Sequence, residues 1–244
     1  DGVFVDVDGD GDLDLAVAVE GGANRLYIND GTGRFSWREG ALDGPARDNE
    51  HVVTADFNQD GHPDLGFVAE DDRLHSYFLG GPDGQFTDAG DRIPAHSEGN
   101  GLAVGDVNGD GLPDVVIGSS GEGRGQNFLW LNDPDRPGYF IDVTATHLPQ
   151  VDDDTQDITL ADLDMVVSNE NPPNRLLLND GTGRFTEAAE RLELLVPLET
   201  RQAHVFDATG DGAPDIVFMN LTSNNRGRDK DSQVRILVND GQGF

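Results

Sequence analysis

Short apolar runs alternate with acidic, glycine-rich breaks along the whole chain. Between Gly101 and Ala145 the runs are "GLAVGDV", "DVVIGSS", "NFLWLND" and "YFIDVTA". Each is four to seven residues long and rich in Val, Ile, Leu and Phe, which is the pattern of short strands. No stretch carries a sustained 3.6-residue period, although "EAAERLELL" from Glu187 predicts a turn or two of helix in a connection. The pattern predicts an all-β protein.

The runs recur in phase. "DVDGDGDLDLAV" from Asp6 returns as "DFNQDGHPDLGF" from Asp56, "DVNGDGLPDVVI" from Asp106 and "DATGDGAPDIVF" from Asp207, and the first three starts are 50 residues apart. A second element keeps step with them: "NRLYINDGTGRFS" from Asn24, "NFLWLNDPDRPGYFIDV" from Asn127, "NRLLLNDGTGRFTEA" from Asn174 and "VRILVNDGQGF" from Val234. The copy from Leu74, "LHSYFLGGPDGQFTDA", is looser. Asn and Gly tolerate positive φ, so "NDG" between apolar runs predicts a tight hairpin. Four antiparallel strands per unit of about 50 residues predict blades of a β-propeller, each burying its faces against its neighbours. The expected organisation is one domain, 1–244, with five units at about 1–48, 49–98, 99–155, 156–201 and 202–244. Both ends look cut within a unit, the last unit stopping at Phe244 where its fourth strand should begin.

One unit departs from the pattern. From Ile158 the flanking runs are present, but only Asp162, Leu163 and Asp164 stand where the other copies have nine loop residues. The expectation is that six residues of a loop are missing from the sequence, with a true deletion of one metal site as the alternative. "DLD" also lacks the Gly or Asn favoured in a tight turn.

Charge sharpens the picture. The chain has 16 Lys+Arg against 47 Asp+Glu, a formal charge of −31, which disfavours nucleic acid or an anionic membrane surface as partner. No run approaches the roughly 18 apolar residues of a spanning helix, and direct membrane insertion is not expected. Asp outnumbers Glu by 36 to 11 and 32 glycines accompany them, a bias toward turns and metal loops. Without cysteine, disulfides, thiolate zinc sites and cysteine nucleophiles are excluded.

The stretch from Asp6 to Asp14 holds five aspartates in nine residues. Two carboxylates about 4 Å apart repel by roughly 4 kcal/mol at an effective dielectric near 20, so such a loop needs a cation to close. Calcium takes roughly 6 to 8 oxygens in flexible geometry, and alternate residues of a tight loop can aim oxygens at one centre. The expected ligands are Asp6, Asp8, Asp10, the Asp12 carbonyl and Asp14 in the first loop. The second offers Asp56, Asn58, Asp60, the His62 carbonyl and Asp64; the third offers Asp106, Asn108, Asp110, the Leu112 carbonyl and Asp114. The last offers Asp207, Thr209, Asp211, the Ala213 carbonyl and Asp215, with Thr209 the weakest donor. Four calcium ions follow, and a fifth if the segment Asp162–Asp164 is incomplete. Position eight is Leu13, Pro63, Pro113 or Pro214, where proline leads the loop into a strand. A helical EF-hand needs Glu at position 12, but Val17, Phe67, Ile117 and Phe218 stand there. Ordinary Asp/Gly turns would have no reason to recur four times in phase.

These loops, placed before strands at this period, resemble the FG-GAP and VCBS repeats of integrin α-subunit propellers and their microbial relatives, over essentially the full chain. "NRLYINDGTGRFS" and "NRLLLNDGTGRFTEA" are similar to the bacterial type, including cartilage-acidic-protein-like chains. The resemblance implies a propeller, usually seven-bladed, with calcium between the first and second strands of a blade, on a secreted or surface protein.

Three functions remain open at this stage. A calcium-stabilised adhesion or binding module for a protein or glycan fits an extracellular, cell-surface or periplasmic location, where millimolar calcium fills weak sites. A carbohydrate-active enzyme such as a lyase would draw on polar residues near the first strands: His51 with Glu50, His96 with Glu98, Asp157, and His204 with Arg201. A structural part of a larger assembly is the third. Asp152 to Asp154 reads as a solvated loop, and Trp37, Trp130, Tyr27 and Tyr139 read as blade packing. "NLT" at Asn220 is a glycosylation candidate, while "RGRD" at Arg226 is not an integrin-binding RGD.

Overall fold

The computed structural model describes residues 1–70, 75–94, 98–120, 125–170, 172–192, 199–221, 234–239 and 241. Five antiparallel sheets follow one another along the chain, one per repeat unit. The first blade is β1 (Gly2–Val5), β2 (Asp14–Val17), β3 (Arg25–Asn29) and β4 (Phe35–Trp37). The second is β5 (Asn49–Ala55), β6 (Asp64–Ala69), β7 (Ser76–Gly81) and β8 (Gln85–Asp88). The third is β9 (Gly101–Gly105), β10 (Asp114–Gly118), β11 (Phe128–Asn132) and β12 (Phe140–Asp142). The fourth is β13 (Thr155–Ala161), β14 (Asp164–Asn169), β15 (Arg175–Asn179) and β16 (Phe185–Glu187). The fifth shows β17 (Thr200–Phe206), β18 (Asp215–Asn220) and β19 (Arg235–Leu237) among the described residues. Strand order within each sheet is sequential, so each blade is a meander, and the first strands lie side by side in the order β1, β5, β9, β13, β17.

The core sits between blades rather than inside them. Alternation along a strand sends one set of side chains to each face of a blade. Val7, Ala16 and Leu26 of the first blade pack against Val52, Leu65 and Phe67 of the second. Phe57 and Tyr77 of the second meet Trp130 and Phe140 of the third, with the Phe57 ring edge-on to Tyr77 at 5.7 Å and to Phe140 at 5.4 Å. Val116 and Leu129 then meet Ile158 and Leu177, and Val166 and Leu176 meet Ile216 and Phe218. Among the aromatics expected to pack, Trp130 is buried, whereas Trp37 is exposed, with the Arg25 guanidinium 5.6 Å from its ring centre. Tyr27 is half-buried, and Tyr139 is flanked by Arg92 and Arg136 at 4.7 and 4.8 Å.

Among the described residues, helix is confined to one turn at Thr144–His147 and short 3-10 turns. The segment from Glu187 expected to be helical supplies the end of β16 and a 3-10 turn at Ala189–Leu192. The first strands of blades two, four and five carry a bulge, displacing Glu50, Gln156 and Arg201 from the ladder.

Candidate metal loops

Each nine-residue loop joins a first strand to a second and is shaped by its own aspartates. The carboxylate at position one gathers backbone N–H groups inside the turn. Asp6 accepts from Gly9 at 2.8 Å and Gly11 at 3.0 Å, and Asp56 from Asp60 at 3.0 Å and Gly61 at 2.9 Å. Asp106 accepts from Gly109, Asp110 and Gly111 at 2.8, 3.0 and 2.9 Å. Asp207 does the same with Gly210, Asp211 and Gly212, and these N–H groups hold its carboxyl below the usual carboxylate range. Position five then accepts the N–H two residues on, at 2.9 Å in all four loops: Asp10 from Asp12, Asp60 from His62, Asp110 from Leu112 and Asp211 from Ala213. Glycine is required at position six, where φ is +93° at Gly11, +89° at Gly61, +86° at Gly111 and +90° at Gly212.

Position nine has a second task that the loop spacing does not reveal. Asp14, Asp64, Asp114 and Asp215 are buried. In each, one oxygen accepts the N–H of loop position two and the other accepts an N–H of the third strand or its turn. For Asp114 the donors are Val107 at 3.0 Å and Asn132 at 2.9 Å; for Asp64 they are Phe57 at 2.9 Å and Gly80 at 2.8 Å. Asp14 joins Val7 to Asn29, and Asp215 joins Ala208 to Asn239. Burial raises the Asp64 carboxyl to about 6 and the Asp114 carboxyl to about 7, against the lowering effect of those hydrogen bonds. Asp14 is also raised, chiefly by burial.

In the first loop, carboxylate oxygens of Asp6, Asp8 and Asp14 all lie within 4.8 Å of one another. Oδ1 of Asp8 is buried without a hydrogen-bond partner. An all-oxygen, trianionic set with one orphaned oxygen suits a hard divalent cation. In the second and third loops the middle carboxylate is replaced by Asn58 and Asn108. Each donates its amide to the position-five aspartate at 2.9 Å and accepts that residue's N–H at 3.0 Å. Thr209 of the last loop donates its backbone N–H to Asp215 at 3.1 Å. The Asp12 carboxylate lies beside Gly31, where an added Cβ would stand 2.5 Å from Oδ2.

At the short connection, Ala161 pairs with Asp164, and Asp162 (φ 47°) with Leu163 (φ 71°) forms a two-residue turn with both residues left-handed. Asp164 keeps half of the latch, accepting the Asn179 N–H at 2.8 Å. The asparagine of the "ND" turn was legible only as a hairpin former, yet it is a hub. The Asn132 carboxamide donates to Phe57 O at 2.8 Å and Pro113 O at 3.1 Å while accepting from Gly138 at 2.9 Å. Asn179 likewise donates to Val107 O at 2.8 Å and Leu163 O at 3.3 Å. The signal available in the sequence was the recurrence of Asn29, Asn132, Asn179 and Asn239 in phase with the loops.

The residues considered for catalysis are placed differently. His51 lies 3.8 Å from Asp1; burial lowers its pKa, and the Asp157 charge opposes that shift. Asp157 Oδ2 accepts the Ala203 N–H at 3.0 Å and the Thr159 hydroxyl at 3.3 Å, tying blade four to blade five. Arg201 bridges Glu170 at 3.3 Å and Glu199 at 3.1 Å. At the corresponding junction of blades one and two, carboxylate oxygens of Glu20, Asp48 and Glu50 lie within 4.8 Å of one another, and burial followed by Glu70 and Asp48 raises the Glu50 pKa. His204 is exposed, Glu98 is half-buried, and His96 lies outside the described residues. Asp153, expected to be solvated, is fully buried: Arg175 approaches its two oxygens at 2.7 and 2.9 Å and Glu187 at 2.8 Å. Asn220 is buried too, accepting the Thr200 hydroxyl at 2.7 Å, which leaves it poorly placed as a glycosylation acceptor in the folded state. Arg226 lies outside the described residues.

The FG-GAP-like repeat matches residues 6–67 and 162–218, and the FG-GAP repeat matches residues 99–131. Among solved structures, the chain is similar to a chain of the Photorhabdus luminescens Tc holotoxin pore, at 21% identity and a TM-score of 0.40. That match covers 89% of this chain but only 11% of the other, so this chain spans about a tenth of its length. No curated protein matches the chain.

Proposed function

The chain belongs to the FG-GAP repeat family, and from that premise we propose that it is a calcium-stabilised binding module of an extracellular, cell-surface or periplasmic protein. Among the described residues, no helix is long and apolar enough to cross a membrane. In this reading Asp6, Asp8, Asp10 and Asp14 hold one ion with the Asp12 carbonyl. The loops at Asp56, Asp106 and Asp207 hold one each through the ligands expected from their spacing. Bound calcium supplies positive charge that offsets repulsion inside each loop, and the stiffened blades present their remaining loops to a protein or glycan. Membership of a larger surface assembly is compatible with the same role.

The observation that carries this reading is the convergence of Asp6, Asp8 and Asp14 around the partnerless Asp8 Oδ1. Binding to the folded state alone adds about 2.7 kcal/mol per site at a calcium concentration 100 times Kd. Thermal melts should therefore rise by several degrees in millimolar calcium chloride, fall in chelator, and respond less to magnesium at matched ionic strength. Asp8→Ala should remove one ion from the calorimetric stoichiometry. A melting temperature indifferent to calcium and chelator would reject the reading.

A second reading, a carbohydrate-active enzyme, rests on His51, a half-buried imidazole on β5 whose pKa is lowered by burial against the opposing charge of Asp157. Its test is turnover of polyuronates and neutral glycans, lost in His51→Ala. Saturable binding without turnover favours the module.

A further inference from the structure

Resting on the calcium reading above, we infer that Asn132 is a positioning residue that couples the loop at Asp56 to the loop at Asp106, so that the two bind calcium cooperatively while the loop at Asp6 binds alone. The Asn132 side chain is fully buried, and its single NH2 group serves two loops at once. One hydrogen goes to the Phe57 carbonyl, at position two of the second loop, and the other to the Pro113 carbonyl, at position eight of the third. Its Oδ1 accepts the Gly138 N–H, which fixes the orientation of the amide. Its backbone N–H completes the latch on Asp114.

Both carbonyls adjoin expected ligands. The Phe57 carbonyl belongs to the peptide that carries Asn58, and the Pro113 carbonyl to the peptide that carries Asp114. An ion that orders either loop therefore holds Asn132 in the geometry the other loop uses.

A second link joins the same loops. Position four is Gly9, Gly109 and Gly210 in three copies but Gln59 in the second, and Gln59 sits at φ 57°, where glycine is the unstrained choice. Its side-chain amide donates to Gly111 O in the third loop at 3.1 Å.

The molecule contains its own control. The second blade has Gly80 where the third has Asn132: Gly80 gives the latch N–H to Asp64 but has no carboxamide to reach the first loop. Among the described residues, no side-chain hydrogen bond joins the loop at Asp6 to the loop at Asp56.

The test uses the full chain, isotope-labelled and titrated with calcium chloride. The amides of Gly11, Gly61 and Gly111, each donating to the first aspartate of its loop, report the three sites separately. Asp110→Ala weakens the third loop. A net hydrogen-bond contribution transmitted between sites corresponds to about a two- to tenfold effect. The second loop should lose affinity by that factor in Asp110→Ala, while the first loop keeps its own.

Adding Asn132→Gly, the residue the second blade uses, should bring the factor toward one. Gln59→Gly should lower it part of the way while leaving the calcium-free melting temperature unchanged or raised, because it relieves the left-handed glutamine. The coupling then falls with no loss of calcium-free stability, which a merely structural role would not produce. Gln59 is exposed, so its variant serves even where Asn132→Gly fails to fold. A factor of one in the parent chain, or an equal factor with and without these side chains, overturns the coupling. Calcium shifts in all three loops with either result leave the parent reading standing; no shift in any loop overturns both.

Discussion

The aspartate at position nine shows how one residue serves shape before it serves a metal. Asp114 satisfies two backbone N–H groups at once, so its removal strands both in a buried setting. An Asp114→Ala variant should lose about 3 kcal/mol, read from urea melts in chelator, at roughly 1 to 3 kcal/mol per unpaired donor. Burial also makes the carboxylate form unfavourable. Asp64 and Asp114 have folded pKa values of about 6 and 7, above the 3.8 of an ordinary Asp. Their contribution to stability is therefore present below about pH 4 and lost as pH rises through 6 to 7. In chelator, this pair should make the fold more stable at pH 5.5 than at pH 8, and saturating calcium should flatten that slope. His75 works in the opposite direction. Its Nδ1 accepts the Ala69 N–H at 2.9 Å, and burial, then Arg47, lowers its pKa from 6.5 to about 4. That stability is present above about pH 6.5 and lost as pH falls toward 4. Asn24, Asn127 and Asn174 accept the corresponding N–H groups of Val19, Ser119 and Asn169, so His75→Asn should fold and remove the acid-side loss, steepening the slope from Asp64 and Asp114. Calcium-free melts from pH 4.5 to 8 on both proteins check the sign. The loop aspartates were legible in the sequence because alternation within nine residues is local. The latch was not, because its second donor comes from a strand 18 residues beyond Asp114. The burial of Asp153 leaves no local mark for the same reason: only the fold brings Arg175 to it.

At the level of elements, local chemistry carried most of the information. Alternating apolar runs and glycine-bearing turns, Asn-Asp-Gly in blades one and four, specify the meanders, and in-phase repetition makes the strand assignment mutually consistent. The bulges at Glu50, Gln156 and Arg201 leave no comparable mark, since three unlike side chains occupy one structural position. The connection at Asp162–Leu163 is the other departure. Its two-residue geometry is one that Asn-Gly adopts readily, but here a leucine holds φ 71° with 39% of its surface exposed. A left-handed conformation costs an ordinary L-residue about 1 to 2 kcal/mol, and Leu163 recovers little of this by burial. Leu163→Gly should therefore stabilise the fold by about 1 kcal/mol, raising its midpoint by roughly 2 to 4 °C in a chain of this size. Differential scanning calorimetry would show it. A fall in midpoint would mean that the side chain is needed for packing.

For the whole molecule, stability is a property of junctions between blades. Each core cluster draws on two neighbouring blades, which makes the chain quasi-one-dimensional: a blade is held by the blades beside it. One repeat position displays the consequence. Leu26, Leu129 and Leu176, on the third strands of blades one, three and four, are 1%, 0% and 2% exposed, each against a following blade. Ile236 stands at the same position in the fifth blade and is 53% exposed, beside Val238 at 58%. Deleting a buried leucine side chain costs about 2 to 5 kcal/mol through lost transfer energy and the cavity left behind. Leu176→Ala should fall in that range. Ile236→Ala should cost less than about 1 kcal/mol, because a half-solvated side chain leaves no cavity. Equilibrium urea melts on the two variants measure the difference, and native-state hydrogen exchange locates it: amides of β18 should exchange through an opening of lower free energy than those of β10, which has a blade on either side. Equal costs at Leu176 and Ile236 would show that a blade's interior, rather than its junction, sets its stability.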